Sequence, residues 1–328
     1  MQRRQFIGLA AGALAGGILG GHSIRAIAGV HDAVPDANGP LNAAQYHASR
    51  RFAKTRFGEI AYVERGTGKA ALFLHAHPYN GFQWRGALDR LSAHRRCIAP
   101  DLLALGYTRV AAGQSVTPAA QATMLVALLD KLAIRDVDLI ANDSGDAIAQ
   151  LIIAQHPRRV RTVLFTNGDE AQDSPPPALK PLIALAHAGK STDVFDGWLA
   201  DKASARLPNA IGGAVYANPA TLTDEAIDYY FTPLIRSPRQ RALVDASIIG
   251  FEPNPLTDIA PALKRFKGPV RIVWGTADTL FSPDSPDRLD RAFGNSRGVR
   301  RLEGMKTFWP EEQPDVLAEE ARQLWGVA

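Results

Sequence analysis

The chain has 328 residues, 46% of them hydrophobic and 21% charged, which allows a large buried core and is typical of a globular protein. A single cysteine, Cys97, excludes an internal disulfide, a CxxC redox pair and a cysteine metal cluster. Because Cys97 lies in the apolar run RCIAPDL, we expect it to be a buried core residue.

The first 28 residues have the layout of a secretory signal peptide, with a cationic start, a run rich in glycine and alanine, and an A-x-A sequence that ends at Ala28. Arg3 and Arg4, followed by QFI, resemble the twin-arginine export signal. The apolar run from Phe6 to Gly21 is about 16 residues long, which is short for a membrane span. We therefore predict cleavage near Ala28 rather than an uncleaved anchor. The expected partner is the twin-arginine export machinery, and the mature protein is expected to be periplasmic or secreted, without stable membrane association.

Removal of the signal peptide would also change the charge balance. The full chain has 37 basic and 33 acidic residues, and the first 28 residues hold three arginines but no lysine or acidic residue. The mature chain would then have 34 basic residues against 33 acidic ones, a net charge of +1. This near balance gives no support for binding to nucleic acid or to an anionic membrane.

After an N-terminal arm at 29–50 without a clear period, apolar runs alternate with segments of helical spacing. Two runs around Gly58 predict an antiparallel pair of strands, and later runs are continuously apolar, as in strands buried on both faces of a sheet. The predicted strands are 51–57, 59–66, 70–76, 96–102, 137–141, 161–166, 270–275 and 297–304. The predicted helices are 82–95, 116–133, 145–156 and 312–326.

The alternation stops at 169–262, a segment that is mostly helical in character. This pattern predicts an α/β fold with a mostly parallel eight-stranded sheet flanked by helices, a core formed by 51–168 and 263–328, and a helical insertion between them. Ligands of open α/β sheets bind beyond the carboxyl ends of the strands. Polar residues that follow the predicted strands are therefore the first candidates for chemistry: His75, His77, Asp143, Ser144, Asn167, Asp169 and Asp278.

The strand VDLIA runs into NDSGDAIAQ and then a helix, which is the strand–turn–helix pattern of a nucleophile elbow. Such a turn needs small residues two positions before and after the nucleophile. With Asp143 as the nucleophile these positions hold Ala141 and Gly145, whereas Ser144 would have larger polar residues there. The pattern favours Asp143.

At this point the chain resembles the α/β-hydrolase superfamily, specifically the haloalkane dehalogenase and epoxide hydrolase branch, whose nucleophile is an aspartate. The matching segments are LFLHAHP (72–78), which is similar to the H-G-x-P loop of that branch, FQWR (82–85), IAPDLLALGYT (98–108), QHPRRVRTVLFTN (155–167) and IVWGTADTLF (272–281), which contains the acid loop. The resemblance implies an α/β-hydrolase fold in which the insertion 169–262 is a helical cap over the substrate.

The resemblance also implies residue roles. Asp143 would attack a carbon atom and form an alkyl-enzyme ester. The backbone N–H groups of Ser144 and His77 would form an oxyanion hole, and Asp278 would be the acid that orients a catalytic histidine.

The chain departs from the branch at that histidine. The family loop has the form G-x-x-H-F-x-x-E-E-x-P, and in GMKTFWPEEQP the histidine position is occupied by Thr307. No realignment restores it, because His187 is the last histidine in the chain. Threonine is not a general base near neutral pH, so an alkyl-enzyme ester is expected to persist.

Other departures concern ligand binding. Dehalogenases of this branch have a tryptophan halide donor directly after the nucleophile, where this chain has Ser144, and His77 occupies a second halide-donor position. Halide binding is therefore poorly supported. His77 is either a loop histidine or a replacement for the missing base, and Asp278 is either a remnant of the triad or a structural acid. Candidate substrate-binding residues are Trp84, Tyr216, Tyr230, Phe308 and Trp309. Phe308 and Trp309 are expected to line the pocket or its rim, whereas packing is the alternative role for the other three.

These observations predict an exported hydrolase with Asp143 as its nucleophile, acting on an ester, epoxide or carbon–halogen bond of a small, fairly apolar substrate. One alternative is a lyase or isomerase that uses Asp143 as a general base, since burial under a cap would raise its pKa. The other is an inactive relative that only binds. No metal or organic cofactor is implied, because the chain has no G-x-G-x-x-G after a strand, no Walker-type loop and no metal-spaced cluster.

Overall fold

The structure is a computed structural model that describes residues 41–327. The predicted signal peptide and residues 29–40 of the predicted arm lie outside the described residues. No helix within 41–327 combines the length and the apolar character needed to cross a membrane.

The sheet has nine strands: β1 (Arg51–Thr55), β2 (Gly58–Arg65), β3 (Ala70–Leu74), β4 (Arg96–Pro100), β5 (Arg109–Val110), β6 (Val137–Asp143), β7 (Val160–Gly168), β8 (Val270–Gly275) and β9 (Ser296–Leu302). Their order is β1-β2-β4-β3-β6-β7-β8-β9, with β5 paired to β2. β2 is antiparallel to its neighbours, and the six strands from β4 to β9 along this order are parallel. All eight predicted strands are present and the predicted fold class is confirmed. The two-residue β5 was not predicted.

The helices are α1 (Ala43–Ala48), α2 (Arg85–Leu91), α3 (Pro118–Lys131), α4 (Ser144–Gln155), α5 (Lys180–His187), α6 (Asp193–Ala200), α7 (Ile211–Val215), α8 (Asp224–Ile235), α9 (Pro238–Ile249), α10 (Ala260–Arg265), α11 (Ser285–Ala292), α12 (Trp309–Glu312) and α13 (Pro314–Trp325). α4 packs on β3, β6 and β7, and α13 packs on β7, β8 and α2. Every residue of β3 and β6 is buried, as expected for strands covered on both faces.

The predicted insertion 169–262 contains α5 to α9 and the start of α10. α8 packs against α6 and α9, and α9 against α5, so these helices form a layer of their own. α10 instead contacts α4 and α11 of the core. We keep the name cap for residues 169–262.

α1 lies within the segment that the sequence predicts to be an arm without periodic structure. Asn42 and Gln45 form a capping box at its N-terminus, and the buried Tyr46 ring packs edge-on against Phe82 and Tyr229. A helix of six residues is too short to show a period in sequence. Its stability depends on the cap helix against which it packs.

The segment after Thr307 attaches the cap to the core. The carboxylate of Glu311 accepts hydrogen bonds from Tyr216 Oη at 2.5 Å and Tyr230 Oη at 3.0 Å, and it forms an ion pair with Arg85. The carboxylate of Glu312 accepts the backbone N–H groups of residues 217 and 218, at 3.0 and 2.7 Å. The two glutamates therefore fix the position of the cap.

We predict that Glu311→Ala destabilises the protein by about 3–5 kcal/mol, because it leaves a guanidinium and two buried hydroxyls without their common partner. The measurement is the free energy of unfolding in urea. Glu319→Ala is the matched control, because the Glu319 side chain is 48% exposed and its ion pair with Arg300 spans 3.5 Å. Its expected effect is below about 1 kcal/mol. Equal effects of the two substitutions would contradict this role of Glu311.

Candidate active site

Asp143 lies at the sharp turn between β6 and α4. Its backbone has φ 56° and ψ −126°, a strained conformation for a residue with a side chain. The turn packs closely on its neighbours: a Cβ at Gly145 would lie 2.5 Å from the carbonyl oxygen of Leu74, and a Cβ at Gly168 would lie 2.6 Å from that of Asp143. Both glycines are therefore needed for the turn to sit between β3 and β7.

The carboxylate of Asp143 faces the loop that follows β3. The backbone N–H of His77 donates to its Oδ1 atom at 3.1 Å. The pKa of Asp143 is raised to about 6, because burial and, to a smaller extent, the charge of Asp278 outweigh the opposing effect of the N–H groups of Ser144 and His77. Asp143 is thus an ionised but poorly solvated carboxylate near neutral pH.

Two further acids, Asp146 in α4 and Asp169 after β7, are fully or almost fully buried near Asp143. Burial and the neighbouring carboxyl groups raise both pKa values well above the ordinary aspartate value. Within the described part of the chain, both carboxyl oxygens of Asp146 and the Oδ1 atom of Asp169 have no hydrogen-bond partner. Both carboxyls therefore bind a proton more tightly than an exposed aspartate does.

Asp146 is not among the functional residues that the sequence predicts. An acid in the first turn of a helix ordinarily interacts with the helix dipole at the surface, so its position gives no sign of burial. Only the packing of α4 against β7 places it inside.

The ring of His77 points to the cap. Its Nε2 atom lies 3.2 Å from Ser247 Oγ, which itself donates to the carbonyl oxygen of Val244 at 2.7 Å. Nε2 is therefore the donor in the contact with Ser247. Burial, with a smaller effect from His75, lowers the pKa of His77 to about 3, so the ring is neutral and weakly basic. The structure thus brings the backbone of His77 to Asp143 and directs its Nε2 to Ser247.

His75 and His187 are both engaged elsewhere. Nδ1 of His75 donates to the carbonyl oxygen of Ala76 at 2.8 Å, and its Nε2 accepts the N–H of Leu102 at 3.0 Å, so this ring ties two loops together. His187 is 56% exposed and lies 3.4 Å from Glu252 within the cap.

Thr307 is fully buried, and its hydroxyl makes no hydrogen bond within the usual limits of distance and angle. The hydroxyl is nevertheless near Asp278 and helps to lower the pKa of that carboxyl, which burial raises overall. Asp278 accepts Asn167 Nδ2 at 2.6 Å and the N–H of Leu280 at 2.7 Å. An amide and a backbone turn therefore hold the acid that would otherwise orient a histidine.

Asn142, the residue before the nucleophile, links the strands behind the elbow. Its Nδ2 atom donates to Thr166 Oγ1 at 2.8 Å and to the carbonyl oxygen of Thr307 at 2.9 Å, and its Oδ1 accepts Gln83 Nε2 at 2.6 Å. In the sequence, Asn142 directly follows the predicted strand 137–141 and precedes the candidate nucleophile. A polar residue inside a buried strand was the signal for this role.

The aromatic candidates are all buried. Trp84, Phe308 and Trp309 are at most 1% exposed, and Tyr216 and Tyr230 are bound to Glu311 as described above. The two cap phenols are therefore part of the attachment between cap and core in this structure.

Tyr79, two residues after His77, was not predicted. Its ring lies 4.2 Å from that of Tyr230 and 4.6 Å from that of Phe308, between centroids. Its hydroxyl is buried and makes no hydrogen bond within the usual limits of distance and angle. Burial raises its pKa well above the ordinary tyrosine value, and the charges of Glu311 and Asp143 add to this effect. Tyr79 is thus a neutral phenol within the electrostatic reach of the nucleophile.

Known proteins match this chain in sequence and in structure. The chain is 40% identical to a haloalkane dehalogenase of Mesorhizobium japonicum over 113 residues, which are 32% of this chain and 34% of that protein. It is 26% identical to a cis-3-alkyl-4-alkyloxetan-2-one decarboxylase of Shewanella oneidensis over 121 residues, 36% of this chain and 38% of that protein. The matches thus span little more than a third of each relative.

A solved structure, the epoxide hydrolase CorEH, is similar with a TM-score of 0.69 at 20% identity, covering 84% of this chain and 98% of that one. The sequence profile of the alpha/beta hydrolase fold matches residues 70–304, which include β3, the elbow, the cap and the acid loop. The sequence likeness includes haloalkane dehalogenases, and the chain belongs to the alpha/beta hydrolase fold family.

Proposed function

We propose that the protein is a hydrolase that uses Asp143 as a nucleophile on a small, fairly apolar substrate with an ester, epoxide or carbon–halogen bond. The observation that carries the proposal is the carboxylate of Asp143 at a strained elbow, with the His77 N–H at 3.1 Å from its Oδ1. A carboxylate fixed in this way needs little reorganisation before attack.

In the first step, an oxygen of Asp143 forms a bond to the electrophilic carbon, and the leaving group departs with the electron pair of the broken bond. If the leaving atom is oxygen, it needs a proton. We assign this donor role to Tyr79, because its phenol is neutral and its hydroxyl makes no well-formed hydrogen bond. The hydroxyls of Tyr216 and Tyr230, in contrast, donate to Glu311.

In the second step, water attacks the carbonyl carbon of the ester, and the oxyanion that forms is held by the N–H groups of His77 and Ser144. The bond between the carbonyl carbon and the alkoxy oxygen then breaks, the alcohol leaves with a proton from the water, and the carboxylate of Asp143 is restored. Activation of this water is the weak point of the mechanism. Thr307 is not a base, the raised pKa values of Asp146 and Asp169 favour their neutral forms, and the pKa of His77 is about 3. We therefore expect the covalent ester to form readily and to be cleared slowly.

A second candidate function is supported by the pKa of Asp143, which at about 6 is well suited to a general base. In this version Asp143 removes a proton from the substrate in a lyase or isomerase reaction, and no ester has to be cleared. The sequence likeness to a decarboxylase, a non-hydrolytic enzyme, also supports it.

We further propose that the mature protein is exported through the twin-arginine machinery to the periplasm or beyond. The support is the sequence of residues 1–28 alone. Replacement of Arg3 and Arg4 by lysine should retain the protein in the cytoplasm, as measured by cell fractionation, and unchanged export would contradict the proposal.

Incubation of the protein with alkyl halides, epoxides or activated esters should give a mass increase equal to the alkyl group, the whole epoxide or the acyl group respectively, measured by intact-protein mass spectrometry. The adduct should be absent in Asp143→Asn, because an amide is a poor nucleophile. Asp278→Asn is the matched control and should still form the adduct. Product without any adduct in the wild-type protein would favour the general-base function.

Thr307→His tests whether only the clearing step is missing. An imidazole at this position would be next to Asp278, which could orient it, and should shorten the lifetime of the adduct by about 100-fold or more. The lifetime is measured by mass spectrometry after removal of excess substrate. Thr307→Asn controls for the change in packing and should not shorten it. An adduct that is equally persistent in both variants would contradict this account of Thr307.

The rate of adduct formation should rise with pH through about 6 and level off above about pH 7, because Asp143 reacts as the carboxylate and its pKa is raised to about 6. Asp278→Asn removes a negative charge that raises this pKa, so the midpoint should move to lower pH. Rapid-quench mass spectrometry gives the rates. A rate that does not change between about pH 5 and 8 would contradict the assignment.

A further inference from the structure

A surface cavity of about 330 Å³ lies where α9 of the cap meets β5 of the core. Its lining contains three guanidinium groups, from Arg109 on β5, Arg236 at the end of α8 and Arg239 in the first turn of α9. The other lining residues are Val110, Ser237 and Gln240, so no acidic residue lines the cavity.

The positive charge of this cavity is incompletely balanced. Arg109 pairs with Glu59 at 2.7 Å, and both side chains are well exposed. Among the ion pairs of residues 41–327, none involves Arg236 or Arg239. Burial and the nearby charge of Arg109 lower the pKa of Arg236, and Tyr107 and Asp101 oppose this decrease only in part.

The guanidinium groups are held in place by bonds that use only part of their donors. Nη2 of Arg239 donates to the carbonyl oxygens of Val110 and Ala111, at 2.8 and 3.2 Å. Nη2 of Arg236 donates to Gln240 Oε1 at 3.2 Å, and Gln240 in turn donates to the carbonyl oxygen of Ala104 at 2.6 Å. Each guanidinium has five N–H donors, so both retain donors for a ligand.

Ser237 adds a neutral donor. Its Oγ accepts the backbone N–H of Gln240 at 3.1 Å, which leaves the hydroxyl hydrogen free to donate. Ser237 also caps the 12-residue helix α9, whose N-terminal end carries partial positive charge. Fixed guanidinium forks and a hydroxyl around one cavity match the oxygens of a tetrahedral dianion.

We propose that this cavity binds a small molecule through a phosphate or sulfate group. The volume of about 330 Å³ lies within the range of small-molecule sites and leaves room for an organic part beside the anionic group. Because Arg109 belongs to the core and Arg236 and Arg239 to the cap, the bound anion joins the two. α9 runs from this cavity to Ser247, the partner of His77, so the anion holds the helix that covers the candidate active site.

Inorganic phosphate, phenyl phosphate and acetate are titrated into the full chain at constant ionic strength by isothermal titration calorimetry, with thermal unfolding as a second readout. We expect saturable binding of both phosphates with an increase in Tm, tighter for phenyl phosphate, and much weaker binding of acetate. Arg236→Gln and Arg239→Gln should each weaken phosphate binding by about tenfold. Glu59→Gln should strengthen it, since it frees Arg109 from its only acidic partner among the described residues.

Arg265→Gln is the charge-matched control, because it removes one exposed arginine at the end of α10, outside the cavity lining. It should leave phosphate affinity unchanged. Three results would overturn the proposal: no saturation by either phosphate below about 10 mM, equal weakening by the control substitution, or equal binding of acetate. Circular dichroism verifies that each variant is folded. If one arginine variant does not fold, the other still tests the proposal.

Discussion

Repulsion among buried carboxyl groups governs the centre of this protein. Asp143, Asp146, Asp169 and Asp278 lie within mutual electrostatic influence, and the described structure brings no cation into hydrogen-bond contact with them. Burial and mutual repulsion oppose the ionisation of several carboxyls in such a place, and they raise the pKa values of Asp146 and Asp169 well above the ordinary aspartate value. N–H groups donate to Asp143 and Asp278, which favours the ionised forms of these two carboxyls.

The same constraint explains the neutral residues around the elbow. Asn167 binds Asp278, and Asn142 joins β6 to β7 and to the backbone of Thr307, so amides satisfy buried oxygen atoms without adding charge. An imidazole at position 307 would share its proton with Asp278 and change the charge of the whole group.

The cap is held at three places that differ in chemistry. Glu311 binds two cap phenols and Arg85 in a buried network, His77 contacts Ser247 in the middle of the cap, and three arginines meet across the cavity at the start of α9. The first contact is strong because its partners are desolvated, whereas the third leaves unbalanced charge.

The strands, the elbow and the family likeness followed from the sequence by itself, because apolar runs, small residues around Asp143 and short loop motifs are local patterns. β5 and α1 did not, since elements of two and six residues are stabilised by partners distant in the chain. The tertiary structure alone decided the protonation of Asp146, the engagement of Tyr216 and Tyr230 by Glu311, and the position of Tyr79. Burial and pairing depend on which distant segments meet, and a single sequence does not contain that information.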